Sequence, residues 1–165
     1  EGQFGGSVFA VEFFYGPRDG GFILSGHEDG REPVKHLMVQ RDRGHVINIG
    51  SVAGDAAYAN GNVYCATKSA VKTITDGLRI DVANTSIRVT NLKPGLVETN
   101  FSNTRFHGDT ERAANVYKGI KPLTGDDIAD VAVFAANAPE HVQIAEILVL
   151  ATHQGSGSVI VRQNQ

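Results

Sequence analysis

Short β-branched segments that alternate with helical patterns are the feature that most limits the folds open to this chain. Three such segments, each bounded by turn or polar residues, predict short buried strands. They are residues 45–50 (HVINIG), 87–92 (IRVTNL) and 146–151 (EILVLA). With helical patterns between them, they predict parallel neighbours joined by right-handed crossovers. The expected class is therefore α/β, with a layered parallel sheet.

Residues 62–82 predict the long helix between the first two strands. Val71, Ile74, Leu78 and Val82 recur there at spacings of three and four, which predicts one buried face. A shorter surface helix is expected over residues 109–119.

A second helix is expected to begin after Thr124. Asp127 follows three residues later, in the position of a capping box. We expect this helix to run to about residue 138, because Pro139 cannot continue it.

The first part of the chain has a different composition. Eight of the 19 glycines and five of the eight phenylalanines precede residue 31. Residues 8–14 and 22–24 could form strands, but the glycines make a regular strand improbable. We therefore divide the chain into an unassigned Gly/Phe-rich segment, 1–35, and a folded unit, 36–165. On this view the outer edge of the strand at 45–50 lacks a partner strand, unless the first forty residues cover it.

Charge and hydropathy exclude several classes of function. Acidic residues outnumber basic ones, 18 to 15, so nucleic acid is not an expected partner. The apolar stretch 144–151 is interrupted by Glu146 and is too short to cross a bilayer. No secretion signal is recognisable, and the single cysteine, Cys65, fits a reducing cytoplasm. No residues show metal-ligand spacing.

Three residues form a recognisable acid–base group. Tyr64 and Lys68 lie four apart on the predicted helix, with Cβ atoms roughly 5–6 Å apart. A phenol with a pKa of about 10 needs a drop of about three units, or about 4 kcal/mol, to act near pH 7. A neighbouring ammonium shifts it in that direction. Ser51 ends the first strand, where side chains of open α/β sheets face the ligand crevice.

The order of these motifs resembles that of the short-chain dehydrogenase/reductase family. The motifs are INIGSVAG, then Tyr64 within NVYCATKSAV, then PGLVETNFS after the strand RVTNLK. The resemblance covers residues 38–165 and implies the C-terminal half of a Rossmann-like, doubly wound parallel sheet. It is greatest to the branch of NADP-dependent 3-hydroxy acid dehydrogenases, which includes serine and allo-threonine dehydrogenases.

The resemblance implies a role for each matching residue. Tyr64 would be the general acid and base, Lys68 would lower its pKa and bind the nicotinamide ribose, and Ser51 would orient the substrate oxygen. The nicotinamide would be lined by a turn of four residues: Pro94, Gly95, Val97 and Thr99. Arg105 could bind a substrate carboxylate, with a plain surface arginine as the equal alternative. The family implies NADP, with NAD as an alternative, a small hydroxy or keto substrate, and a dimer or tetramer.

The family's glycine-rich TGxxxGxG turn, which binds the pyrophosphate, is not recognisable. The chain starts at Glu1 and has one methionine, Met38. We therefore expect the C-terminal half of such an enzyme, without the dinucleotide-binding half and almost inactive alone. A frameshift, a partial clone and a mis-assigned sequence all remain open as explanations. The alternative function is a non-catalytic remnant that only packs against a partner through the long helix.

Overall fold

A computed structural model describes residues 8–11, 34–99 and 110–163 of the chain. Four strands form one sheet in the order β1-β2-β3-β4. The strands are β1 (Val8–Val11), β2 (Gly44–Ile49), β3 (Ile87–Pro94) and β4 (Glu146–Val149). The helices are α1 (Val34–Arg41), α2 (Asn62–Asp81), α3 (Thr110–Tyr117) and α4 (Gly125–Ala136), with a short 3₁₀ helix at Val52–Gly54.

All pairings between neighbouring strands are parallel, which confirms the predicted α/β fold class. Val46 faces Val89 across β2 and β3, and Asn91 faces Glu146 across β3 and β4. The three strands predicted from the sequence are thus neighbours in the predicted order. Because parallel strands end at the same side of a sheet, the loops after β2 and β3 are adjacent.

The expectation that the outer edge of β2 lacks a partner is wrong. β1 pairs with β2 in parallel, with Val8 opposite His45 and Val11 opposite Asn48. The glycines of the first segment precede and follow the VFAV stretch and do not interrupt it, so four strand-forming residues remain. The suggested strand at 8–14 is confirmed for its first four residues; 12–33, including the suggested strand at 22–24, lie outside the described residues.

The buried face of α2 differs from the predicted one at a single position. Val71 and Val82 are 1% and 2% exposed, as predicted, but Ile74 is 44% exposed. Thr75, fully buried, occupies the stripe instead. Its hydroxyl donates to Val71 O at 2.7 Å and accepts from the Asn48 amide at 2.8 Å, so burial leaves it with partners.

A small apolar core lies between α2 and the amino-terminal halves of β2 and β3. Its buried members are Met38, Val82, Ile87 and Val89. Burying a side chain of the size of valine or isoleucine contributes about 1.5–3 kcal/mol. This cluster therefore holds α2 on the sheet at the end of the strands farthest from Ser51.

The other face of β3 meets the carboxyl end of α4. The Arg88 guanidinium donates to Ala138 O at 2.8 Å and to Ala136 O at 2.9 Å. A cation at a helix C-terminus satisfies its last carbonyls and complements its dipole. At the other end, Thr124 and Asp127 form the predicted capping box, and the helix ends at Ala136, two residues earlier than expected.

Candidate active site

Ser51 lies at the carboxyl end of β2 and begins a tight turn, residues 51–55, which we call the serine turn. Gly50 N–H still donates to Leu92 O at 2.8 Å, so the ladder continues to the residue before Ser51. The Ser51 hydroxyl oxygen accepts from Ala53 N–H at 3.1 Å and caps the 3₁₀ helix. The same hydroxyl lies 3.4 Å from Pro94 O, so the serine is held between the ends of β2 and β3.

Tyr64 and Lys68 approach the same end of the sheet from α2. The Lys68 ammonium donates to Ile49 O at 3.0 Å, two residues before Ser51. It also lies 6.0 Å from the centre of the Tyr64 ring, at the limit of a cation–π contact. The structure therefore brings the end of β2 close to the tyrosine–lysine pair, although the two belong to different elements, β2 and α2.

Glycine at position 54 makes this approach of α2 to the serine turn possible. A Cβ atom on Gly54 would lie 2.8 Å from the backbone oxygen of Lys68 and 2.9 Å from its carbonyl carbon. Ser69 Oγ donates to Gly54 O at 2.8 Å and ties the two backbones together. Sequence reasoning did not single out Gly54; the SVAG motif contained it, but a close backbone contact leaves no local signal.

The turn after β3 continues the same edge. Gly95 N–H donates to Val149 O at 2.7 Å, and the adjacent Leu96 N–H donates to the Gln154 side chain at 2.8 Å. A Cβ atom on Gly95 would lie 2.3 Å from that Gln154 oxygen. A side chain at position 95 would therefore displace Gln154 in the segment that follows β4.

The backbone beyond Gly95 is held by α3 and by the residue before α4. Val97 forms an isolated parallel bridge with Leu123, and its carbonyl accepts from the Tyr117 hydroxyl at 3.1 Å. Glu98 N–H donates to Leu123 O at 2.8 Å. Thr99 is the last described residue of this turn. Pro94 therefore ends β3, and Gly95, Val97 and Thr99 follow it, at the edge that holds Ser51.

An ion cluster around a buried lysine lies under this edge, and sequence reasoning missed it. The Lys93 ammonium is 2.9 Å from both carboxylate oxygens of Asp55 and 2.6 Å from Glu146. Burial alone would lower the pKa of Lys93, but the hydrogen bonds and charges of Glu146 and Asp55 outweigh it and raise that pKa. The three residues come from β3, the serine turn and β4, so no spacing in the sequence relates them.

Other predicted features have separate outcomes. Arg105 lies outside the described residues, and nothing here bears on its substrate role. Cys65 is buried on α2. Within the described ranges, no three His, Cys, Asp or Glu side chains gather where they could hold a metal ion. None of the described helices has the length and apolar character needed to span a membrane.

Comparison with known proteins assigns the family. A family model described as short chain dehydrogenase matches residues 30–110. The chain belongs to the short-chain dehydrogenase/reductase family, as the order of its motifs indicated.

Two curated relatives are NADP-dependent 3-hydroxy acid dehydrogenases, the branch that the motifs resemble. An NADP-dependent 3-hydroxy acid dehydrogenase of Schizosaccharomyces pombe is 46% identical over 130 residues, which cover 79% of this chain and 50% of the relative. An NADP-dependent 3-hydroxy acid dehydrogenase of Escherichia coli K12 is 41% identical over 127 residues, or 76% of this chain and 51% of the relative. The chain thus spans about half the length of the curated relatives it matches.

Solved structures agree with the assignment. The closed form of a serine dehydrogenase complexed with NADP⁺ matches with a TM-score of 0.71 and 41% identity, covering 77% of this chain and 52% of that chain. A serine dehydrogenase from Escherichia coli matches with a TM-score of 0.56 and 36% identity, covering 70% of this chain and 44% of the other. The Rossmann-like parallel sheet is therefore shared with enzymes of this family.

Proposed function

We propose that this protein is an NADP-dependent oxidoreductase that interconverts a hydroxyl and a carbonyl group on a small substrate of the 3-hydroxy acid type. Residues 36–165 would form its catalytic unit. The observation that carries the proposal is the position of the Lys68 ammonium, 3.0 Å from Ile49 O and 6.0 Å from the Tyr64 ring. It joins the tyrosine–lysine helix to the strand end that bears Ser51. The named activities of the relatives support the same reaction class.

Tyr64 is the proposed general acid in carbonyl reduction and general base in alcohol oxidation. A positioned acid or base contributes about 10²–10⁴-fold to a rate. The Lys68 ammonium would stabilise the phenolate form of Tyr64 by its charge. Ser51 would hold the substrate oxygen beside the phenol and stabilise charge that develops on it.

The turn after β3 has a backbone suited to a nicotinamide carboxamide. Leu96 and Glu98 donate their N–H groups within the protein. For the Val97 N–H between them, the described part of the chain provides no acceptor. Val97 N–H and the Thr99 hydroxyl could thus meet the carboxamide, while Lys68 would bind the ribose hydroxyls. The bound cofactor supplies or accepts the hydride, and these residues determine its orientation.

Association through α2 and the C-terminal segment is part of the proposal. The outer face of α2 exposes Val63, Ile74 and Ile80, which are 53%, 44% and 75% exposed. Val159 and Val161 are 55% and 60% exposed. A dimer or tetramer would cover such apolar side chains, and sedimentation should show it at micromolar concentration. A monodisperse monomer at high micromolar concentration would contradict it.

The exposed face of α2 also favours the second candidate function, a non-catalytic protein that packs against a partner through this helix. The two functions differ in whether the site binds nucleotide. In a form of the enzyme that includes the dinucleotide-binding half, NADPH titration followed by nucleotide fluorescence and calorimetry, with NADH as the comparison, should show NADPH preferred. NADPH oxidation should then be measured with small 3-oxo acids and semialdehydes. Binding with turnover supports the oxidoreductase; neither binding nor turnover leaves the packing function.

A further inference from the structure

The buried Lys93 ammonium connects the serine turn to β3, the strand that carries Lys93. We propose that Lys93 and Asp55 are positioning residues that hold Ser51 at the reacting centre, an inference that rests on the function proposed above. Neither residue needs to touch substrate or cofactor. Their effect passes through the backbone of residues 51–55.

The environment of Lys93 requires both of its partners. Its side chain is 5% exposed, whereas those of Asp55 and Glu146 are 36% and 37% exposed. A buried ammonium without a counter-charge is strongly unfavourable, so the position of the lysine fixes where its carboxylates must lie. Glu146 belongs to a strand that the sheet already orders. Asp55 belongs to a loop, so for Asp55 the contact with Lys93 determines the position.

The serine turn has two attachments to β3, and they differ in strength. At its start, Ser51 Oγ is 3.4 Å from Pro94 O, which is long for a hydroxyl hydrogen bond. At its end, both Asp55 oxygens lie 2.9 Å from the Lys93 ammonium, a charge-assisted contact of normal length. The Asp55 ion pair is therefore the stronger attachment of the turn to the strand.

Internal hydrogen bonds transmit this attachment from Asp55 to Ser51. Asp55 N–H donates to Val52 O at 3.2 Å, and Gly54 N–H donates to Ser51 O at 3.0 Å. With Ala53 N–H bonded to Ser51 Oγ, the five residues form one closed turn. Holding one end of such a turn on Lys93 limits the positions of the serine hydroxyl at the other.

The primary test is Asp55→Asn, which removes the charge, keeps the size and leaves Lys93 paired with Glu146. We expect kcat to fall about ten-fold, because small misplacements of a catalytic group have large effects on rate. KM for NADPH should stay within about two-fold, because Asp55 is not proposed to touch the cofactor. Amide exchange at Ala53 and Gly54 should accelerate, while exchange at Gly50, bonded to Leu92 O, should not.

Two further variants separate positioning from general stability. Lys93→Met should reproduce the loss of kcat seen in Asp55→Asn. The double variant should lose little more than either single variant, because both remove the same ion pair. Lys93→Arg, which keeps the positive charge, should retain most of the wild-type kcat. Glu140→Gln is the matched control, since Glu140 is 82% exposed and its ion pair with Arg43 is long, at 3.6 Å. It should leave kcat and exchange unchanged.

Unchanged kcat with unchanged exchange at Ala53 and Gly54 in Asp55→Asn would overturn the inference. An equal loss in Glu140→Gln would overturn it too, because the effect would then follow net charge. In a form of the enzyme that includes the dinucleotide-binding half, a wild-type protein without turnover would instead refute the proposed function. In that case, faster exchange at Ala53 and Gly54 in Asp55→Asn would still support the ion pair as the anchor of the turn.

Discussion

The two ends of the β2–β3 ladder, on the face that packs against α2, are built from opposite kinds of side chain. At the amino end, Val46 packs with Ile87 and Val89, and the contacts are apolar. At the carboxyl end, the same face of β3 presents Asn91 and Lys93, both buried. One continuous face thus changes from hydrophobic to polar within a few residues.

The polar end is the costlier one to bury. Neither polar atom of the buried Asn91 side chain has a hydrogen-bond partner among the described residues, and such a group costs about 1–3 kcal/mol. The Gly50 Cα hydrogen leaves room for that side chain, since a Cβ there would lie 2.3 Å from Asn91 Oδ1. Buried polar groups without partners, like other departures from ordinary packing rules, are found mainly at functional sites. The amino end therefore stabilises the fold, and the carboxyl end holds the candidate site.

The largest expected effect would separate activity from stability at the carboxyl end. Tyr64→Phe removes only the phenolic oxygen, so kcat should fall by about 10²–10⁴-fold with the unfolding midpoint nearly unchanged. Steady-state kinetics and chemical denaturation measure the two quantities. Retention of a tenth of the wild-type kcat by Tyr64→Phe would contradict the mechanism.

A substitution in the apolar core tests whether the amino end of the β2–β3 ladder stabilises the fold. Ile87→Ala should destabilise the protein by about 2–5 kcal/mol, because it removes buried methyl groups and leaves a cavity. Val133→Ala, at a 53% exposed position of α4, should change stability by less than about 0.5 kcal/mol. Both free energies come from denaturant titration. Equal effects of the two variants would refute the assignment of the core.

A pH titration probes the strand face that points away from α2. Burial and the nearby Arg88 charge lower the pKa of His45 to about 4 from its usual 6.5. The unfolded chain therefore binds a proton between pH 6.5 and about 4 that the folded protein does not. The contribution of His45 to the free energy of unfolding is fully present above pH 6.5, and about 3 kcal/mol of it is lost as the pH decreases to about 4.

Denaturant titrations at pH 7.5 and pH 5 measure this effect. A His45→Gln variant should lose that part of the pH dependence, whereas His141→Asn, at an exposed position, should retain it. His45 Nε2 lies 2.7 Å from Thr90 Oγ1, which donates to Ile144 O, so the glutamine amide can replace the ring as donor. The same slope in wild type and His45→Gln would assign the pH dependence to other groups.

The smallest predicted effect concerns the contact that brings the two parts of the site together. Gly54→Ala places a methyl group 2.8 Å from the Lys68 backbone oxygen, so α2 and the serine turn must separate. We expect a loss of about 1–3 kcal/mol in stability together with a lower kcat. Gly77→Ala is the control, because a Cβ on that helical glycine meets nothing within 4 Å. A stable, fully active Gly54→Ala would show that the contact is not needed.

Local patterns were sufficient for most of the fold. Periodicity placed α2 within one residue of its bounds, and the Thr124–Asp127 spacing identified the capping box. The same reasoning chose Ile74 for the core because it ranks residues by hydrophobicity. Thr75 is buried instead, since Asn48 on a distant strand and Val71 O give its hydroxyl partners.

Sequence alone determined the order of strands and helices, the family and the spacing of Ser51, Tyr64 and Lys68, because these depend on short-range periodicity and contiguous motifs. Tertiary structure alone decided that Val8–Val11 covers the edge of β2, that Gly54 must lack a side chain, and that Lys93 pairs with Asp55 and Glu146. Those contacts join residues far apart in the chain. Their energies arise from burial and charge that exist only once the layers have packed.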